Sequence, residues 1–320
     1  MTAPPTSIPG SRGSLVDPQA LMRLHHLELR ARVVVEGFWS GLHRSPYHGF
    51  SAEFTEYRQY TPGDDPRYLD WRVLGRSDRH FIKKFEDETN LRCHLVVDQS
   101  RSMAFGSTGY TKAAYAATLA ATLAYFLHRQ GDATGLLAFA GDVLDYLPAR
   151  HRPGHLRQLM HLLGRPPEGR ETHIPKPLQR LADIIRKRGL VVLVSDFLAP
   201  LGDLDRHLAA LAAGGHEIVV FQILDPAEIS LDLPAPGLIE DLESGRTLYV
   251  DPAAARRDYD RKIDAHTTAL RDICRRHGIG FSRLPTNQPL ELALLAFLQE
   301  RARRGRFVRP RAAAHGRGTP

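Results

Sequence analysis

Asp98-Gln99-Ser100-Arg101-Ser102 closes the apolar run Leu91 to Val97 and precedes an Ala-rich stretch that opens near Thr111. One carboxylate and two hydroxyls on a strand-to-helix loop are oxygen donors at the place where open α/β sheets put ligand and metal sites. Two other segments put oxygen side chains at comparable places. Thr172 stands in Gly169-Arg-Glu-Thr-His-Ile-Pro-Lys-Pro-Leu, directly before a helical pattern, and Asp196 ends the run Val191-Val-Leu-Val-Ser-Asp. Loops that follow the carboxyl ends of parallel strands converge on one edge of a doubly wound sheet, so Asp98, Ser100, Ser102, Thr172 and Asp196 are expected to meet there. Such a donor set suits a hard divalent cation. Mg²⁺ takes roughly six oxygens and keeps several waters, and Mn²⁺ or Ca²⁺ accepts the same donors. With two carboxylates supplying charge the ion stays electrophilic, and an open position attracts a carboxylate from a partner protein. The competing reading is that Ser100 and Ser102 cap the next helix and Asp196 the one after it, with no metal.

The elements that must position these residues follow from periodicity. Apolar runs predict strands over 91–98, 133–139, 143–147, 190–196, 217–224 and 279–284. The 3.6-residue pattern predicts helices over 111–129, 154–163, 175–188, 202–213, 252–277 and 289–304. Val191-Val-Leu-Val and Ile218-Val-Val-Phe show no polar alternation, as expected of strands covered on both faces of a parallel sheet. Residues 238–250 read as a hairpin around Ser244-Gly245. Upstream, Asp17 with Pro18 opens a helix through about Val35. Residues 45–90 then mix aromatics with closely spaced Arg and Asp, with short strands near 53–59 and 80–87 and a type II turn at Thr61-Pro62-Gly63-Asp64. The Arg and Asp ladder from Arg58 to Arg79 is expected to pair internally, because unmatched buried charge is costly. The expected architecture is α/β: a doubly wound, mostly parallel sheet with an N-terminal helix and a small loop-rich β subdomain. The segments are 1–16 disordered, 17–90 helix and subdomain, 91–304 the sheet domain, and 305–320 an Arg-rich flexible tail.

Composition sets the limits. The 320 residues are 42% hydrophobic and 25% charged, ordinary for a globular chain. The formal charge of +7 belongs to the end of the chain: residues 301–320 hold seven Arg and no acid, leaving 36 basic against 36 acidic side chains elsewhere. No specific nucleic-acid binding is expected from it. Cys93 and Cys274 form no metal-binding spacing and read as reduced core residues of a cytoplasmic protein. Met1 to Gly13 lacks the apolar core of a secretory signal, and Ala113 to Leu127 is too short to span a bilayer. Gly164-Arg-Pro-Pro-Glu-Gly-Arg-Glu-Thr lacks the Lys-Ser/Thr of a phosphate loop, and no G-x-S-x-G elbow is present. His151 and His155 sit four apart around Pro153-Gly154 and are expected on a surface loop.

Asp-x-Ser-x-Ser, a Thr before a helix and an Asp closing a later strand resemble the metal-ion-dependent adhesion site (MIDAS) of von Willebrand factor type A domains. Ser45-Pro-Tyr-His-Gly-Phe-Ser-Ala-Glu-Phe, Arg58-Gln-Tyr-Thr-Pro-Gly-Asp-Asp-Pro-Arg-Tyr-Leu-Asp-Trp-Arg, Lys84-Phe-Glu-Asp-Glu-Thr-Asn and Asp98-Gln-Ser-Arg-Ser-Met resemble the bacterial domain-of-unknown-function family 58, over about residues 20–300. The resemblance implies a von Willebrand type A-like fold, with Asp98, Ser100, Ser102, Thr172 and Asp196 as ligands to a divalent cation, directly or through water. It also implies a MoxR-type AAA+ ATPase or another von Willebrand type A protein as partner. Many relatives carry membrane helices near the N-terminus, and this chain is expected to be the short soluble form. One departure stands out: the common strand ending Thr-Asp-Gly is here Ser195-Asp196-Phe197. The expected function is a non-enzymatic, metal-dependent protein-interaction module in complex assembly or maturation. The alternative is a Mg-dependent phosphoester hydrolase, which would need a phosphate-gripping cation beside Asp98, where the sequence offers Arg101.

Overall fold

The computed structural model describes residues 15–44, 57–59, 81–83, 91–167, 174–185, 187–231, 235–242 and 245–303. Chain contacts divide it into two units, residues 45–90 and the remainder. In the smaller unit β1 (Tyr57–Gln59) and β2 (Phe81–Lys83) pair antiparallel, Arg58 opposite Ile82. The Arg and Asp ladder and the 61–64 turn lie outside the described residues.

The larger unit begins with two helices where the sequence predicted one. Asp17 caps α1 (Pro18–Met22) through the amides of Gln19 and Ala20, and α2 (Leu27–Arg44) follows after a break. The break is held by Arg30, whose guanidinium donates to the carbonyls of Leu24 (2.6 Å) and Met22 (2.8 Å), satisfying oxygens that a continuous helix would have used internally. On α2, Ala31, Val34, Val35 and Phe38 are buried in one core, and Trp39 stacks on Phe126 at 5.8 Å. The helices therefore belong with the sheet domain, and the division falls at 45–90 rather than 17–90.

The sheet contains β3 (Arg92–Asp98), β4 (Ala133–Phe139), β5 (Val143–Arg150), β6 (Leu190–Ser195), β7 (Glu217–Leu224) and, last in the chain, Gly280–Pro285. Between them come α3 (Lys112–Arg129), α4 (His155–Leu163), α5 (Pro175–Ile184), α6 (Gly202–Ala213) and the short α7 (Pro226–Ser230). A hairpin of β8 (Gly237–Glu240) and β9 (Thr247–Val250) follows, turning through Gly245 at φ 68°. Then come α8 (Pro252–Arg276), the sixth sheet strand β10 (Gly280–Pro285) and α9 (Leu290–Arg303).

Strand order is β10-β7-β6-β3-β4-β5, parallel except for the antiparallel edge strand β5. β5 runs three residues past the predicted end, carrying Pro148, which an edge strand tolerates because its outer amide has no ladder partner to lose. Side chains alternate between two cores. Cys93, Leu95 and Val97 of β3 join α2, α3, α4 and α9 on one face, and Val96 joins α5, α6 and α8 on the other. β6 and β7 are buried along their whole length, which is why their sequences show no polar alternation. Both cysteines are free and buried. Among the described residues no helix is long and apolar enough to cross a membrane.

His94, on β3, is buried and its pKa is lowered to about 4 by desolvation, reinforced by His216 and Arg92. A histidine depressed on folding contributes stability above its unfolded value near 6.5, lost as pH falls through the folded value. Denaturant melts should show wild type losing on the order of 3 kcal/mol between pH 7.5 and pH 4 from this group, and His94→Gln should remove that acid-dependent part. An unchanged pH profile in the variant would refute the assignment.

Candidate metal centre

The reversal of strand order falls between β3 and β6, where ligands bind beyond the carboxyl ends in doubly wound sheets. Val97 and Val194 are the last paired residues of this ladder. One step on, Asp98 and Ser195 stand side by side, and Ser195 Oγ donates to Asp98 Oδ2 at 2.5 Å. The backbone N–H of Ser100 donates to Asp98 Oδ1 at 2.8 Å. Asp98 and Asp196 are each 1% exposed. Burial, with the neighbouring Asp196 charge behind it, raises the Asp98 pKa to about 7 against the opposing hydrogen bonds from Ser195 and Ser100.

Ser100 Oγ and Ser102 Oγ lie 3.0 Å apart across a 3-10 turn over residues 101–104. The capping alternative fails here. α3 begins ten residues beyond Ser102, its N-cap is Thr111, which accepts from the Ala114 amide, and Ser100 makes no side-chain capping bond. Asp196 does not cap α6 either: its Oδ1 accepts from the Leu198 amide at 3.2 Å, and the α6 N-cap is Leu201. Thr172 lies outside the described residues.

The sequence reading missed Lys112. This first residue of α3 has a fully buried side chain, and its ammonium donates to Asp196 Oδ2 (2.8 Å) and Glu228 Oε1 (2.6 Å). Burial alone would lower the Lys112 pKa, but the two carboxylates outweigh it and the pKa is raised. Glu228 is raised by desolvation, offset in part by Lys112. The signal in the sequence was faint: a lysine at a helix N-terminus, with no acid in the first turn, is disfavoured by the helix dipole unless something nearby holds it. Arg101 is thus not the sole cation beside the motif; it is exposed, whereas Lys112 is internal.

A loop brings Lys112 to this place. Its amide donates to the Phe105 carbonyl at 2.8 Å, and a Cβ at Gly106 would stand 2.0 Å from the Tyr110 carbonyl, so this close turn requires glycine. The loop is strapped to α7 by Ser107, whose amide (2.9 Å) and hydroxyl both donate to the buried Asp225 carboxylate. Asp225 also caps α7 through the Ala227 amide, and Glu228 Oε2 returns to the Asp225 amide at 2.9 Å, a reciprocal capping box.

Phe197 occupies the position of the glycine in the common strand ending. It takes the left-handed conformation, φ 53°, that glycine would adopt freely, and its ring is 1% exposed in the second core. The loop therefore keeps a glycine-like backbone with a phenyl anchor, and His266 Nε2 donates to the Phe197 carbonyl at 2.6 Å.

His155 differs from expectation: it is buried, with Nε2 2.7 Å from the Thr134 carbonyl, while His151 is exposed. Among the described residues no group of three or more His, Cys, Asp or Glu could hold a metal ion. A cation at the motif would thus rely on hydroxyls, with carboxylates supplying charge. The donors fit: adjacent ligands of a Mg²⁺ octahedron stand about 3 Å apart, the spacing of the Ser100 and Ser102 oxygens.

Strand order, antiparallel edge and a hydroxyl-carboxylate cluster at the switch point define a doubly wound, mostly parallel α/β protein, the fold class the sequence predicted. The family model described as "Protein of unknown function DUF58" matches residues 56–269, and the chain belongs to that family. The uncharacterized protein Rv1480 of Mycobacterium tuberculosis is 30% identical over 297 residues, covering 91% of this chain and 93% of its own length. Among solved structures, the conserved hypothetical protein BatB from Bacteroides thetaiotaomicron aligns at 16% identity and TM-score 0.46, over 67% of this chain and 98% of that one. The VWA domain of SpRpn10 aligns at 15% identity and TM-score 0.36, over 64% and 94%.

Phe197→Gly separates strain from burial. Relief of the left-handed backbone gains about 1–3 kcal/mol, and loss of the buried ring costs about 3–5 kcal/mol. Burial wins: the variant should be less stable by roughly 2 kcal/mol in chemical denaturation. A more stable variant would show that strain, not anchoring, dominates the loop.

Proposed function

We propose that the protein is a non-enzymatic interaction module that holds a divalent cation, Mg²⁺ by preference with Mn²⁺ or Ca²⁺ acceptable, at Ser100 and Ser102. Asp98 and Asp196 supply the charge, Thr172 is the fifth ligand that the family resemblance implies, and an acidic side chain of a partner completes the shell. The single observation that carries this reading is the 3.0 Å pair of hydroxyls beside a buried carboxylate that forms no ion pair among the described residues. Unpaired buried charge is expensive, and a dication is the natural compensation. The cation, when bound, supplies an electrophilic oxygen-seeking position; the chain itself orients the hydroxyls through the 3-10 turn and excludes water from the carboxylates by burial. The partner we propose is a MoxR-type AAA+ ATPase, or another von Willebrand type A protein, in complex assembly or maturation, as the family resemblance implies. The hydrolase alternative gains no support from Lys112, which is fully buried and committed to Asp196 and Glu228 rather than exposed to grip a phosphate.

The test is capture of a purified MoxR-type ATPase on the immobilised full chain. Retention in MgCl₂, release by EDTA, and loss in Asp98→Ala and in Ser100→Ala are expected. Capture indifferent to EDTA and to both substitutions would sink the docking reading, and Mg²⁺-dependent turnover of p-nitrophenyl phosphate, lost in Asp98→Ala, would replace it with the hydrolase.

A further inference from the structure

Resting on the metal reading above, we infer that Lys112 sets how strongly the site holds a cation: it is a built-in positive charge that occupies Asp196 and leaves Asp98 without an ion pair among the described residues. The ammonium is 2.8 Å from Asp196 and 2.6 Å from Glu228 and has no exposed surface. A dication at the Ser100 and Ser102 hydroxyls therefore meets the free charge of Asp98 and, at Asp196, a charge already paired with a fixed ammonium. Hydroxyl ligands add no charge. Under those conditions the ion is held weakly by the chain alone, and an incoming carboxylate contributes the missing anion, so cation and partner bind cooperatively rather than in sequence.

Glu228 is the second half of the device. It shares the ammonium with Asp196 and is fixed by the Asp225 capping box, while the hydroxyl of Tyr259 donates to its backbone carbonyl at 2.5 Å. Its charge draws Lys112 away from Asp196. Removing that charge leaves Lys112 wholly to Asp196 and weakens the site, whereas removing Lys112 frees the Asp196 charge for the cation. The two substitutions thus act in opposite directions, which a merely structural role for the ion pair does not produce, since both would simply loosen the same contact.

The experiment is Mn²⁺ titration of the full chain followed by electron paramagnetic resonance, with thermal melts in the same series. Lys112→Met should bind Mn²⁺ roughly tenfold more tightly than wild type, and Mn²⁺ should raise its melting temperature more than it raises that of wild type. Glu228→Gln should bind several-fold more weakly, and adding Ser100→Ala to Lys112→Met should abolish the gain. Equal affinity in wild type and Lys112→Met, with binding still lost in Ser100→Ala, overturns the role of Lys112 while leaving the metal site standing. Absence of Mn²⁺ binding in every variant ends the metal reading and this inference together. Should Lys112→Met fail to fold, Glu228→Gln decides: unchanged or tighter binding overturns the proposal.

Discussion

Uncompensated negative charge in a dry pocket is the constraint around which the carboxyl edge of the sheet is organised. Asp196 and Glu228 share the Lys112 ammonium, Asp98 stands beside them without an ion pair among the described residues, and water does not reach Asp98 or Asp196. In such surroundings a carboxylate must take hydrogen bonds, a counter-ion or a proton. Asp98 takes the first from Ser195 and Ser100 and still has its pKa pushed to about 7, largely by burial. Asp225 shows the contrasting solution. It is equally buried, yet donors from Ser107, Ala227 and Thr286 surround it and among the described residues no cation takes part.

Packing forces the polar groups to this edge. Helices cover both faces of β3, β6 and β7, so strand residues facing either core are mostly apolar, His94 and Gln222 being buried exceptions. The side chains free to be polar are those where strands end, and the parallel ladder between β3 and β6 ends with both strands level, Val97 beside Val194. Residues 98 and 195 then face each other without any loop having to reach. The core hydrophobics and the site chemistry are thus consequences of one register. A slip between β3 and β6 would break the Ser195 to Asp98 hydrogen bond as well as the packing.

Much of this was legible in the chain. The boundaries of β4, β7 and α6 follow from apolar periodicity alone, since each lies in a segment whose pattern and turn residues agree. The motif at Asp98 and the strand end at Asp196 were readable because each is local. Lys112, Ser195, Glu228 and Ser107 were not, because their meaning lies in partners 84 to 118 residues away. Ser195 reads as an ordinary strand residue, and Glu228 as an ordinary helix acid. The break between α1 and α2 was hidden for a related reason: Leu21, Leu24 and Leu27 keep a helical spacing across it, and Arg30 turns the chain by hydrogen bonds that periodicity does not encode.

The substitution of phenylalanine for the common glycine after Asp196 shows how far the site depends on elements remote from it. A left-handed phenylalanine does not hold itself in place; its ring must be buried and its carbonyl satisfied, and α8 contributes to both. His266 of α8 holds the Phe197 carbonyl, next to Asp196. Tyr259, two turns earlier on the same helix face, holds the carbonyl of Glu228. These are the two carboxylate residues that share the Lys112 ammonium. One face of a single 25-residue helix therefore holds the backbone at or beside both carboxylates that share the Lys112 ammonium. A shift of α8 along its axis would move the two carboxylates together, and would reach the motif at Asp98 through charge before any atom of the motif itself had moved.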